Sequence, residues 1–155
     1  VMAHDHSHKR RRDWTIEDQK LIAACRARVT RRISPEIYRA YQFKVSRIER
    51  FLVACYEAEN EGHFAPHRDN TTRGTAHRRF AVSINLNDDY DGGNLVFPEF
   101  GRVHFRPPIG GACVFSCSLL HEATTVGRGK RYVFVPFLYD ETAKVIRDEN
   151  NKYLE

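Results

Sequence analysis

His67 and Asp69, one residue apart, and His121, far downstream, are the side chains whose types and spacing could do chemistry in this sequence. On extended chain, positions i and i+2 project to the same side, so His67 and Asp69 can reach one ion together, whereas a helix would point them apart. His121 follows the run from Ser116 to Leu120 and opens the segment from Glu122 to Val126, which places it at a strand start facing the first pair. Two imidazoles and a carboxylate occupy one face of an octahedral metal and leave the opposite positions open, a donor set that suits Fe(II). Ten residues beyond His121 stands Arg131, at the mouth of an apolar run that extends to Tyr139. An arginine there needs an anionic partner or a route for its head group to water. Short motifs such as HxD recur by chance, so the elements that position these residues carry the weight.

Residues 1–13 hold His4, His6, His8 and the basic run Lys9 to Arg12 without an apolar period, and read as a disordered basic, His-rich arm. The arm could trap metal adventitiously or touch nucleic acid, but the plainer reading is a solvated terminus. Residues 14–44 read as helical support. Thr15 with Asp18 forms a capping-box-like start, and Leu21, Ile22, Cys25 and Val29 recur at helical spacing, predicting a helix near 16–31. Ser34-Pro35-Glu36 opens a second helix over about 35–44, with Ile37, Ala40 and Tyr41 inward.

From residue 45 to 155 the pattern is that of strands. Val45 to Tyr56 reads as a buried strand that delivers Tyr56 toward the HxD turn. An acid-rich loop covers 57–66, and Phe64-Ala65-Pro66 leads extended chain into His67. Arg68, Arg73, His77, Arg78 and Arg79 surround Gly74 with almost nothing to bury, predicting an exposed, mobile loop over 68–79 that closes over the metal and contacts substrate. A solvated turn unconnected with substrate fits the same composition. Phe80, Val82, Ile84 and Leu86 alternate with Ala81, Ser83, Asn85 and Asn87, a two-faced strand whose small polar face suits a cavity wall. A turn at Asp88–Gly93, short strands at Asn94–Glu99 and Arg102–Arg106 joined at Gly101, a Pro/Gly break at Pro107–Gly111, a strand over Ala112–Cys117 and a last strand over Arg131–Tyr139 complete the series. Many short strands with helices confined to the start imply a mainly β sandwich or barrel with helical support.

The outer bounds agree. A chain of 155 residues forms one domain with a substantial core. Val1 in place of a starting methionine reads either as a cloning scar or as the start of a fragment with flanking domains out of view. No run approaches the ~20 apolar residues of a membrane span, and no signal-peptide region is present, so the expectation is a cytoplasmic protein without membrane contact. Cys25, Cys55, Cys113 and Cys117 form no CxxC pair and read as buried thiols rather than disulfides. A net charge of +5 and a pI of about 9.2 hint at an acidic partner.

Tyr56, His67, Asp69, the run Ser83 to Asp88, the run Tyr90 to Leu95, His121 and Arg131 fall in the order and rough spacing of one family. Over about residues 45–140 the chain resembles the 2-oxoglutarate- and Fe(II)-dependent dioxygenases, specifically their prolyl-4-hydroxylase-like branch. The resemblance implies a double-stranded β-helix, or jelly roll, with two N-terminal supporting helices. It implies Fe(II) held by His67, Asp69 and His121, with the same three residues catalytic. It further implies 2-oxoglutarate gripped by Arg131 through its far carboxylate, where a guanidinium fork suits bidentate pairing. Tyr56 and Asn85 match positions that contact this co-substrate, although a core tyrosine and a solvent-facing asparagine would show the same pattern. The implied reaction consumes dioxygen, with ascorbate as a further candidate cofactor, hydroxylates a C–H bond and releases succinate and carbon dioxide. A protein or peptide, prolyl included, or a small molecule would be the substrate; the oligomeric state stays open. A non-catalytic cupin-type module holding metal or carbohydrate would also show His and Asp ligands, but has no use for the co-substrate arginine. Nucleic-acid demethylation ranks lower, because related enzymes of that kind carry a second arginine six residues after the first, where this chain has Phe137.

Overall fold

The structure, a computed structural model, describes residues 7–152; His4 and His6 of the arm lie outside the described residues. In chain order the elements are β1 (Lys9–Arg10), β2 (Arg12–Thr15), α1 (Gln19–Arg32), α2 (Ser34–Tyr41), β3 (Arg47–Glu49), β4 (Leu52–Glu57), β5 (His63–His67), β6 (Phe80–Asn85), β7 (Asp91–Gly92), β8 (Leu95–Val96), β9 (Ala112–Ser116), β10 (His121–Ala123), β11 (Val126–Arg128), β12 (Lys130–Phe134), β13 (Phe137–Tyr139) and α3 (Glu141–Asn151). One antiparallel sheet has the order β2-β4-β12-β6-β13-β3, with β9 also on β6; a smaller one runs β1-β5-β10-β8, and β7 and β11 form a ribbon. This is the jelly roll that the resemblance implied.

Alternation along the larger sheet decides its two faces. Phe80, Val82, Phe134 and Leu138 meet Val29, Ile33 and Ile37 of the helices on one side. On the other, Leu52, Ala54, Tyr56 and Val133 meet Ala123 and Val126 from β10 and β11. Ala81, Ser83 and Asn85 alternate with the helix-facing residues of β6 and so turn into the space between the sheets.

Several expectations are corrected. Asp18, not Thr15, starts α1: its carboxylate accepts from the Leu21 N–H at 2.7 Å, satisfying a donor that the first turn leaves orphaned. Of the three residues expected inward on α2, Ile37 is buried, whereas Ala40 and Tyr41 are exposed and Tyr41 only edges the Phe80 ring, with centroids 5.1 Å apart. The arm is not disordered from Lys9 onward: β1 pairs with β5 and β2 with β4, because strand edges recruit backbone whatever the side chains. The strand expected over Val45–Tyr56 breaks at Arg50, whose φ is 66°, and its halves join different partners, β3 with β13 and β4 with β12. Residues 102–106 contribute only a bridge from Phe105 to Leu95. Pro136 divides the final strand into β12 and β13, both on β6, since proline cannot donate to the ladder. A third helix follows, capped by Asp140, whose side chain accepts from the Ala143 N–H at 2.9 Å.

The basic loop is tethered rather than free. His77 is buried, with Nε2 2.9 Å from the Glu49 carboxylate. Arg78 donates to the same group at 2.8 Å, and Asn150 of α3 donates to the Arg73 carbonyl. Burial alone would raise the Glu49 pKa, but the Arg78 and His77 contacts outweigh it and hold the carboxyl below its usual range. The four cysteines are free thiols; Cys55 and Cys117 are buried, Cys25 and Cys113 partly so.

Candidate metal centre and co-substrate pole

Adjacent strands of the smaller sheet build the metal centre. In the β5–β10 register His121 stands directly across from His67, and the two rings lie 4.3 Å apart between centroids. His67 ends β5, and the chain then carries Asp69 back to the same side, fixed by its N–H donating to the Cys117 carbonyl at 3.0 Å. The Asp69 carboxylate sits between the imidazoles, Oδ1 3.3 Å from His67 Nε2 and Oδ2 3.3 Å from His121 Nε2. All three donor atoms lie within 4.8 Å of one another.

The protonation pattern suits a metal. His67 Nδ1 lies 2.8 Å from the Ala65 carbonyl and His121 Nδ1 3.0 Å from that of Leu119. A carbonyl only accepts, so each Nδ1 carries a proton and each Nε2 is the ring atom turned toward the centre. Burial lowers the His121 pKa, opposed by the Asp69 charge, which favours the neutral, ligating form. Phe64 stacks on His67 at 3.6 Å and 14°, and Phe115 tilts against His121 at 4.6 Å, fixing both ring planes.

The opposite pole lies on the larger sheet. Its register sets Arg131 across from Tyr56 on one side, while β6 runs along the other. Arg131 is 3% exposed. Its Nε and Nη2 donate to Asn85 Oδ1 at 3.2 and 3.0 Å, and Nη2 donates to Ser83 Oγ at 3.1 Å. Among the described residues no carboxylate forms an ion pair with it. A buried guanidinium aimed by neutral groups is a receptor for an anion.

Asn85 is fully engaged. Its amide also donates to Tyr90 Oη at 3.0 Å and to the Pro107 carbonyl at 2.8 Å, so the geometry makes it the residue that aims Arg131 rather than one that touches a ligand. Tyr56 is buried with its hydroxyl accepting from Arg11 Nη1 at 3.1 Å. Gly93 has φ 62°, and a Cβ there would stand 3.0 Å from Arg131 Cδ and 2.9 Å from Val126 Cγ2. Both conditions demand glycine.

One cavity of about 490 Å³ joins the poles, lined by His67, Asp69 and His121 at one and by Tyr56, Ser83 and Arg131 at the other. The basic loop contributes Thr71, Thr72, Thr75 and Arg78 to the wall, whereas Arg73 and Arg79 are not part of it. Sequence reasoning missed Arg11 and His8 as lining residues, since nothing local ties a basic arm to a site more than forty positions on. Ser83 was signalled by the alternation of its strand.

The model of the 2OG-Fe(II) oxygenase superfamily matches residues 51–139, a span that holds the triad, Tyr56, Asn85 and Arg131. The chain belongs to this superfamily. Over 65 residues it is 39% identical to a PKHD-type hydroxylase of Shewanella frigidimarina (strain NCIMB 400), a match covering 41% of this chain and 29% of that relative, so the chain spans under a third of the relative's length. Its fold is that of a prolyl hydroxylase from Trichoplax adhaerens solved in complex with a hypoxia inducible factor oxygen degradation domain peptide fragment, with a TM-score of 0.68, 19% identity and coverage of 90% of this chain and 67% of the other. A Pseudomonas putida prolyl-4-hydroxylase has a TM-score of 0.63 at 20% identity, covering 88% of this chain and 76% of that one. The viral collagen prolyl hydroxylase of Paramecium Bursaria Chlorella virus-1, solved as a 2OG complex, has a TM-score of 0.61 at 16% identity, covering 84% and 78% respectively. Among the described residues no helix is long and apolar enough to cross a membrane.

Proposed function

We propose that this chain is an Fe(II)- and 2-oxoglutarate-dependent hydroxylase acting on a C–H bond of a peptide or protein. The observation that carries the reading is Arg131: buried, aimed by Ser83 and Asn85, without an acid partner among the described residues, and in the same cavity as His67, Asp69 and His121. The two neutral imidazoles and the carboxylate would hold Fe(II) on one face. Arg131 would hold the far carboxylate of 2-oxoglutarate, with the Tyr56 hydroxyl beside it as a second contact. When bound, the iron and 2-oxoglutarate supply the oxidising power that inserts oxygen from dioxygen into a C–H bond, leaving succinate and carbon dioxide. Leu95, Phe115, Ala123 and Val133 form apolar lining in this cavity, so they exclude water where competing reactions would occur. A peptide substrate is favoured by the peptide held in the Trichoplax relative of the same fold. A metal- or carbohydrate-binding module without chemistry gives Arg131 no task.

The test has two arms. The wild-type chain supplied with Fe(II) and 2-oxoglutarate should form succinate slowly even without a prime substrate. Asp69→Ala should keep the fold, by circular dichroism, and lose Fe(II) affinity by more than the roughly 10- to 100-fold that follows loss of an outer-shell partner. Wild-type Fe(II) affinity in that variant, measured anaerobically by calorimetry, overturns the assignment.

A further inference from the structure

Beyond Arg131, the wall of the metal cavity is crowded with cations. Lys9 and Arg11 from the N-terminal strands, Arg50 at the break between β3 and β4, and Arg78 all line it. Three of them share one carboxylate: Asp13 lies 3.7 Å from Lys9 Nζ, 2.8 Å from Arg11 Nε and 3.7 Å from Arg50 Nη2. Among the described residues neither Lys9 nor Arg50 forms an ion pair with a second acid, although the Asp69 charge also reaches Arg50. Asp13 does not line the cavity, so within this cluster three cations face a single paired carboxylate that lies outside the cavity wall. Arg78 divides Glu49 with His77 and Arg147.

Their setting is shaped as well as charged. Lys9 and Arg11 sit over the Phe64 ring at 5.5 and 5.2 Å, and Arg50 and Arg78 over the Phe137 ring at 5.8 and 4.0 Å. Arg50 is held at φ 66°, a conformation disfavoured for a residue with a side chain. Burial, and after it the neighbouring Arg11, push both Lys9 and Arg50 below their ordinary pKa. An incoming anion relieves that crowding.

We infer that Lys9, Arg11 and Arg50 form an anion subsite, separate from Arg131, that receives a carboxylate side chain next to the reacting residue of an acidic peptide. This rests on the hydroxylase reading for the reaction, though not for the binding. A peptide carboxylate fits better than a nucleic-acid backbone, which presents a phosphate along every ~1.7 Å of duplex and needs a continuous cationic track. The cluster is compact instead, centred on one carboxylate and flanked by aromatic rings. The neighbouring surface arginines Arg10, Arg12 and Arg128 are paired with Glu61, Glu57 and Asp91.

The probes are three fluorescein-labelled peptides of equal length, each with one central proline, flanked by Glu, by Gln or by Lys. Binding to the full chain is read by fluorescence anisotropy with Mn(II) and 2-oxoglutarate present. The Glu peptide should bind roughly tenfold or more tightly than the Gln peptide, the range of a charge-assisted contact, and the Lys peptide weakest. Lys9→Gln with Arg50→Gln should bring the Glu and Gln affinities together while 2-oxoglutarate affinity, by calorimetry, stays at the wild-type value. Lys9→Gln alone, which leaves the left-handed backbone of Arg50 untouched, should remove part of the preference. Equal Glu and Gln affinities in the wild type, no measurable binding of any peptide, a preference that survives both variants, or a parallel loss of 2-oxoglutarate affinity overturns the inference. So does tighter binding of a labelled single-stranded oligonucleotide than of the Glu peptide. Failure of the hydroxylase reading looks different: the Glu preference persists while the chain binds neither Mn(II) nor 2-oxoglutarate.

Discussion

Replacing Arg131 with methionine keeps an apolar stem and removes the guanidinium. Arg131 is 3% exposed and, among the described residues, its head group donates only to Asn85 and Ser83, so its loss separates two effects. The co-substrate loses a charge-assisted pair, about 1.5–3 kcal/mol, or roughly 10- to 150-fold in Kd. The ligand-free fold loses a buried charge that lacks an acid partner, a gain, but leaves Asn85 and Ser83 acceptors open, a cost of similar size. Its melting temperature should therefore stay within about 4 °C of wild type. Thermal shift with Mn(II) and 2-oxoglutarate at ~100 times the wild-type Kd makes the contrast measurable. Wild type should gain about 2.7 kcal/mol, or about 5–10 °C for a chain of this size. With Kd raised ~30-fold, the same concentration gives about 0.9 kcal/mol and a shift of only about 2–4 °C. A full wild-type shift in Arg131→Met would refute the assignment. A large fall in the ligand-free melting temperature with the ligand shift intact would make Arg131 a structural residue.

Gly93→Ala should lower stability by ~1–2 kcal/mol for its left-handed backbone and also weaken 2-oxoglutarate binding, because the new Cβ meets Arg131 Cδ at 3.0 Å. Gly110→Ala, at φ 75° with nothing within 4 Å of the added Cβ, is the control: calorimetry should find stability reduced and co-substrate affinity unchanged, and equal affinities in both variants contradict the packing role of Gly93. For pH, the lowered His121 pKa means the unfolded chain takes up this proton first. The metal-free fold should lose stability as pH falls below the unfolded histidine value of about 6.5, levelling once the lower folded pKa is passed. His121→Gln should flatten that part of the urea-midpoint profile, and an unchanged slope would assign it to other groups.

Much of the site was legible because its signals are local. His67 and Asp69 fall on one side of extended chain whatever the fold, and the alternation from Phe80 to Asn87 placed Ser83 and Asn85 on a polar face. Arg131 drew notice as a charge at the mouth of an apolar strand. Their partners were not legible. Asn85 and Ser83 reach Arg131 only once β6 pairs with β12, and His121 faces His67 only in the β5–β10 register. Asn85 therefore read as a ligand contact, although its amide is spent on Arg131, Tyr90 and Pro107. The loop over 68–79 read as mobile because its anchor, Glu49, lies on β3 and is invisible to composition.

The sequence by itself determined the donor types, their order along the chain and which strand faces are polar, because those follow from residue identity and a period of two. The tertiary structure alone decided that the basic arm becomes two edge strands, that the run from Val45 to Tyr56 breaks at Arg50, and that Lys9, Arg11 and Arg50, which share Asp13, line the metal cavity. The physical reason is that these outcomes depend on backbone pairing between strands distant in sequence. Such pairing needs a free edge and a register, neither of which any local pattern of side chains encodes.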